Sequence, residues 1–167
     1  MAQPKNPFTG DPKSHPISEF EQGMRGTCLC KSISITIKDP ELFTKRRGHL
    51  CHCSNCRKIS GSYVAANFAI EKEKVEFHDE KGTWKEYEDW ETGSGKVVLR
   101  CFCSNCGSPI TSKADFVPNM VFLKMGLFPR IPTPEAESFA AHKNDWEGSI
   151  EGAVQYETVR GGKKLGE

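Results

Sequence analysis

The chain has 167 residues, 37% of them hydrophobic, with 23 lysines and arginines against 22 aspartates and glutamates and a formal net charge of +1. That length suits one domain, the usual unit being roughly 100–200 residues, and the apolar share is enough for a packed core. Balanced charge gives no field toward nucleic acid or anionic lipid, no apolar run reaches the about 20 residues of a membrane helix, and the N-terminal MAQPKNPFTGDPKSHP lacks the apolar core of a signal peptide. The expectation is a cytoplasmic protein, off the membrane, for which nucleic acid is not the expected partner.

Taken in chain order, residues 1–21 hold four prolines among polar residues and predict a flexible N-terminal arm. TCLC at 27–30 is followed by KSISITIK at 31–38, where Ile33, Ile35 and Ile37 alternate with Ser and Thr in the period-two pattern of a half-buried strand. CHCSNC occupies 51–56. Strands are predicted at VAANFAI (64–70), KVEFH (74–78), KVVLRCFC (96–103) and MVFLKMGLF (120–128), with turns at TGSG (92–95) and PNM (118–120). GTWKEYEDW at 82–90 reads as a strand or a helical turn, because its aromatics fit neither period. Residues 159–167, ending GGKKLGE, predict a flexible tail. No long amphipathic helix stands out, so residues 22–158 read as one mostly-β domain of short antiparallel strands, with cysteine clusters at strand ends and turns.

All eight cysteines fall into three clusters. In a reducing compartment such clusters point to metal rather than to a disulfide scaffold, and thiols one residue apart would close only strained rings. A closed structural zinc site wants four thiolates, commonly from two close pairs. Cys28 and Cys30 offer a strand-type pair, since alternate strand residues share a face. Cys103 and Cys106 offer a turn-type pair, with Gly107 relieving the exit. That leaves Cys51, Cys53 and Cys56: three ligands and one vacant position is the arithmetic of a catalytic zinc. The plainer alternative is a second closed site completed by Cys101 or a histidine. Cys101 is a buried free thiol, that fourth ligand, or a redox group. His49 is placed to orient or complete the site, while His52 points away from its cysteine neighbours, toward the surface or a supporting role. His15, His78 and His142 have no evident partner. Ser60 and Gly61 read as a turn, and Trp84, Trp90, Trp146 and Phe139 as core or pocket wall.

G-x-C-x-C at 26–30, C-x-C-x-x-C-R-K-x-S-G at 51–61 and R-x-F-C-x-x-C-G-S-P at 100–109 together resemble the glutathione-dependent formaldehyde-activating enzyme family, whose domain is also called the centromere protein V domain. The likeness runs over about residues 22–157, where ESFAAHKNDWEGSIEGAVQYE is similar to the family's closing aromatic segment. It implies a β-tent fold and two Zn2+ per chain, with Cys28, Cys30, Cys103 and Cys106 matching the structural ligands and Cys51, Cys53 and Cys56 the catalytic ones. It also implies a carbon–sulfur lyase acting on S-hydroxymethylglutathione, or promoting its formation from formaldehyde and glutathione, in detoxification. Cys101 lies outside that seven-ligand pattern. Arg57 and Lys58, directly after Cys56, are candidate contacts for a glutathione carboxylate, or merely offset the thiolates' charge. Three thiolates on one Zn2+ carry a formal charge of −1, which weakens the metal as a Lewis acid and makes thiolate exchange an alternative to activation of oxygen. Two rivals remain: the same chemistry on a related thiol adduct, and a non-catalytic zinc-stabilised binding or chaperone module.

Overall fold

Ile33, Ile35 and Ile37 form the middle strand of a small sheet in a computed structural model, which describes residues 11–45 and 47–167. The strands are β1 (Met24–Thr27), β2 (Ile33–Ile37), β3 (Gly48–Cys51), β4 (Ala65–Glu71), β5 (Val75–Asp79), β6 (Trp84–Asp89), β7 (Val98–Cys103), β8 (Pro109–Ala114), β9 (Met120–Lys124), β10 (Pro134–Ser138) and β11 (Val154–Gln155). A helix, α1 (Ser54–Ser60), joins β3 to β4. Strands β1, β2 and β5 make the small antiparallel sheet, and the other eight are ordered β11-β10-β3-β4-β9-β8-β7-β6. The expectation of antiparallel strands needs one correction: β10 runs parallel to both β3 and β11. Its partner lies far away in sequence, so no local turn signal announces the pairing.

Strand register gives the large sheet two unlike faces, because successive side chains point to opposite sides. Phe68, Ile70, Val121 and Leu123 face the small sheet and are buried against Ile33, Ile35 and Ile37. Each such side chain contributes about 1.5–3 kcal/mol on leaving water, so this is the layer that holds the two sheets together. The opposite face is polar. On it His49 stands opposite Asn67 and Asn67 opposite Lys124, while Arg100 stands opposite Ser112. The candidate site sits on this second face.

Several expectations change. Residues 82–90 form the edge strand β6, and their aromatics fit no period because Trp84 is half-buried against Phe77 whereas Tyr87 points to solvent. Trp90 and Trp146 are exposed and not core. The run at 120–128 is strand only to Lys124, after which Met125–Leu127 forms a 3-10 turn. Of the expected arm, residues 1–10 lie outside the described residues, as does Arg46. Residues 11–21 carry two 3-10 turns, Pro12–Ser14 and Ile17–Phe20, with Phe20 buried and stacked on Phe43 at 5.4 Å. The expected tail turns back on itself: Leu165 N–H donates to Gln155 O at 2.9 Å and Glu157 N–H to Lys163 O at 2.9 Å. Among the described residues no helix is long and apolar enough to cross a membrane.

Candidate metal centre

Cys28, Cys30, Cys103 and Cys106 converge, their sulfurs all within 4.8 Å of one another. Cys28 and Cys30 come from a turn after β1, not from a strand as the alternation had suggested. Lys31 N–H donates to Cys28 O at 2.9 Å and Lys31 takes φ 63, which folds the backbone back so that both thiols point inward. The second pair uses the same device: Gly107 N–H donates to Cys103 O at 2.8 Å, and Gly107 takes φ 72, a conformation glycine adopts without strain. Polar groups meet the sulfurs: Ile33 N–H donates to Cys28 Sγ at 3.3 Å, Cys30 Sγ pairs with the Ser32 hydroxyl at 3.1 Å, and the Cys106 thiol donates to Ser108 Oγ at 3.3 Å. The Ser32 hydroxyl and the Asn105 side chain bring Cys30 down to about 5, whereas burial pushes Cys28 up to about 11. Four thiols so close do not all ionise unaided, so the donor set calls for a cation.

The second cluster is Cys51, Cys53 and Cys56, whose sulfurs also lie within 4.8 Å of one another. Cys51 ends β3, Cys53 is the N-cap of α1, and Cys56 sits in its first turns. Cys53 Sγ accepts the Cys56 N–H at 3.4 Å, so one sulfur serves both as helix cap and as a member of the cluster. Gly61, in the left-handed region at φ 61, ends the helix as the Ser60–Gly61 turn predicts. Contact with Cys51 and Cys53, together with the charges of Lys124 and Arg100, holds Cys56 down to about 2, while Cys51 is pushed up by its sulfur neighbours and by burial. Among the described residues no fourth histidine, cysteine, aspartate or glutamate joins the group.

Neither candidate fourth ligand is in place. Arg100 and Cys101 are adjacent on β7 and point to opposite faces of the sheet. Arg100 Nη1 lies 3.9 Å from Cys56 Sγ, so the Cys101 thiol points away from the open cluster. It is fully buried, directed at Glu86 Oε1 at 3.5 Å, and burial pushes it up to about 12. His49 Nε2 pairs with Ser138 Oγ at 2.8 Å, and burial pushes this imidazole down to about 4, keeping it neutral.

Of the supports around this cluster, Arg100 opens the motif at 100–109, whereas Asp89 and Ser112 belong to none. Arg100 Nε and Nη2 donate to Asp89 Oδ2 at 2.9 Å and 2.7 Å, and Nη1 donates to Ser112 Oγ at 3.2 Å. Asn55 of α1 donates to both Asp89 oxygens, at 2.9 Å and 3.0 Å, which pins the helix over the sheet. His52 is 3% exposed and not on the surface: its ring lies between Glu137 Oε2 at 3.3 Å and Glu147 Oε2 at 2.9 Å. Period-two alternation from Arg100 could have flagged the polar face of β7, but Asp89 and Glu147 gave no signal. Of the other histidines, His15 and His78 lie beside Glu19 and Glu80, and His142 packs on Phe139.

Lys58 lines a cavity of about 290 Å3 with Asn55, Ile59, Tyr87, Asp89, Glu91 and Arg100. Arg57 is half-buried, its Nε without a hydrogen-bond partner. A second cavity of about 330 Å3 lies beyond the end of α1, lined among others by Ser60, Ser62, Ser108, Pro109 and Lys124.

The family model described as glutathione-dependent formaldehyde-activating enzyme matches residues 23–144. A crystal structure of a Rhodobacter sphaeroides protein is similar at 19% sequence identity and a TM-score of 0.49, covering 62% of this chain and 86% of that chain. No curated protein matches.

Proposed function

The chain belongs to the glutathione-dependent formaldehyde-activating enzyme family, and from that premise we propose that it is a zinc-dependent carbon–sulfur lyase acting on S-hydroxymethylglutathione or a related thiol adduct. Cys51, Cys53 and Cys56 hold the catalytic zinc, and Cys28, Cys30, Cys103 and Cys106 hold a structural one. Thiolate sets of four and three suit a tetrahedral ion, closed in one case and open in the other. The observation that carries the reading is this inequality: four converging ligands in one cluster, three in the other, with no further ligand among the described residues.

In the lyase direction the carbon–sulfur bond breaks, its electron pair stays on sulfur as a thiolate, and the hydroxyl proton leaves as formaldehyde forms. The metal, when bound, supplies a Lewis acid at which sulfur or oxygen charge is stabilised. The chain's own groups prepare the place. The Asp89-anchored Arg100 sets positive charge beside Cys56, and α1, fixed by Asn55, holds Cys53 and Cys56 in register with Cys51. Lys58 at the 290 Å3 cavity is the better placed contact for a glutathione carboxylate, with Arg57 the second. Eight free thiols fit a reducing compartment, and we place the protein in the cytoplasm, where formaldehyde detoxification would use it.

The test follows S-hydroxymethylglutathione formation and decay by NMR with zinc-loaded wild type and with Cys53→Ser. Acceleration by wild type that falls to background in the variant is expected. Equal rates with and without protein would remove the lyase reading and leave a zinc-stabilised binding or chaperone module.

A further inference from the structure

A buried charge is costly unless something answers it. Lys124 is 6% exposed and its Nζ donates to Asn67 Oδ1 at 2.8 Å. Among the described residues it makes no carboxylate ion pair within 4.0 Å. Arg100, the other buried cation on this face, is matched by Asp89 at 2.7 Å. Register places Lys124 in one row with Asn67 and His49, and Cys51 lies two residues beyond His49 on the same side. Burial pulls the Lys124 ammonium below the usual lysine range, while the cluster of Cys51, Cys53 and Cys56, on the same face, acts the other way and favours its charge.

The charges can be counted. Arg100 and Asp89 cancel. Three thiolates with a divalent ion carry −1, which Lys124 balances. A thiolate arriving at the fourth position would take the centre to −2, and a fixed cation nearby favours that state. A neutral donor gains nothing from it. We propose that Lys124, held in place by Asn67, selects the fourth ligand by charge, favouring an incoming thiolate over neutral donors. This rests on the reading of Cys51, Cys53 and Cys56 as an open metal site.

The experiment uses the full chain loaded with Co2+, whose visible and sulfur-to-cobalt bands report the fourth ligand directly. At fixed pH it is titrated with 2-mercaptoethanol and, separately, with imidazole. Lys124→Gln and Asn67→Asp should each weaken 2-mercaptoethanol binding by about tenfold or more, the scale expected for a unit charge acting through partly buried protein, and leave imidazole binding unchanged. Asn67→Asp keeps the shape of the amide while supplying the missing counter-charge, so its result stands even where Lys124→Gln does not fold. Unchanged 2-mercaptoethanol affinity in Asn67→Asp overturns the proposal, as does equal weakening of both ligands. Because the bands need no turnover, a protein that prefers the thiolate yet leaves S-hydroxymethylglutathione untouched supports this proposal and sinks only the lyase reading.

Discussion

Arg100 joins three things at once: the Asp89 carboxylate, the Ser112 hydroxyl and the edge of the Cys56 thiolate. Removing it strands Asp89, a 7% exposed carboxylate left, among the described residues, with only the Asn55 amide as side-chain donor. Breaking a buried pair from one side costs about 3–5 kcal/mol. Arg100→Met should therefore lower the unfolding free energy by that order, measured by urea denaturation of the metal-loaded protein. A loss below about 1 kcal/mol, the scale of an exposed pair, would show that the Asp89–Arg100 bond is not the anchor described. Little of this was legible in advance. Cysteine spacing exposes ligands because thiols are rare and their chemistry is local, whereas Asp89, Asn67 and Lys124 meet their partners only through strand register. His52 illustrates the middle case: alternation correctly turned it away from Cys51 and Cys53, but burial between Glu137 and Glu147 depends on a segment about ninety residues downstream.

The closing segment after β10 is tied to that strand by the pairing of β11 and by the Glu137 carboxylate. Glu137 accepts from Ile150 N–H at 2.8 Å and from Lys143 Nζ at 2.9 Å, and lies beside His52. Burial alone would raise its pKa, but the Ile150 amide, the Lys143 ammonium and His52 outweigh it, and Glu137 lies below the usual carboxylate range. A carboxylate depressed by folding contributes stability that is complete above its unfolded pKa and is lost as the pH falls through its folded one. The melting temperature should accordingly drop on acidification through the carboxylate range, and Glu137→Gln should flatten that drop while lowering the melting temperature at neutral pH. Parallel acid profiles for the two proteins would assign the hold to other groups. At this scale the alternating Ile33, Ile35 and Ile37 and the apolar-rich runs around β4 and β7 were readable as strands, within a residue or two of their ends. The CLC segment was not, because a turn closed by Lys31 at φ 63 and a strand offer the same spacing of thiols. Nor was β10, a strand of Pro, Glu, Ala, Glu and Ser whose parallel pairing with β3 owes nothing to its own propensity.

For the molecule as a whole, two sheets enclose an apolar layer, and the two cysteine clusters lie on opposite sides of the large sheet. Cys103 belongs to the buried core layer, while Cys56 lies against the polar face beside Arg100. The four-thiol cluster ties the turn after β1 to the end of β7, joining the small sheet to the large one. The three-thiol cluster is confined to β3, α1 and the Cys53 N-cap between them, and none of its members belongs to the core layer. Structural metal binding is coupled to folding, so the two clusters should differ in what their loss does.

The decisive measurement is zinc per chain, read with near-ultraviolet circular dichroism, for wild type, Cys53→Ser and Cys103→Ser. Wild type should carry about two zinc ions, one for each ligand set. Cys53→Ser should lose one and keep its folded spectrum, and Cys103→Ser should lose the spectrum itself. If both variants collapse alike, or if Cys53→Ser keeps its full zinc, the division into one closed and one open centre is contradicted.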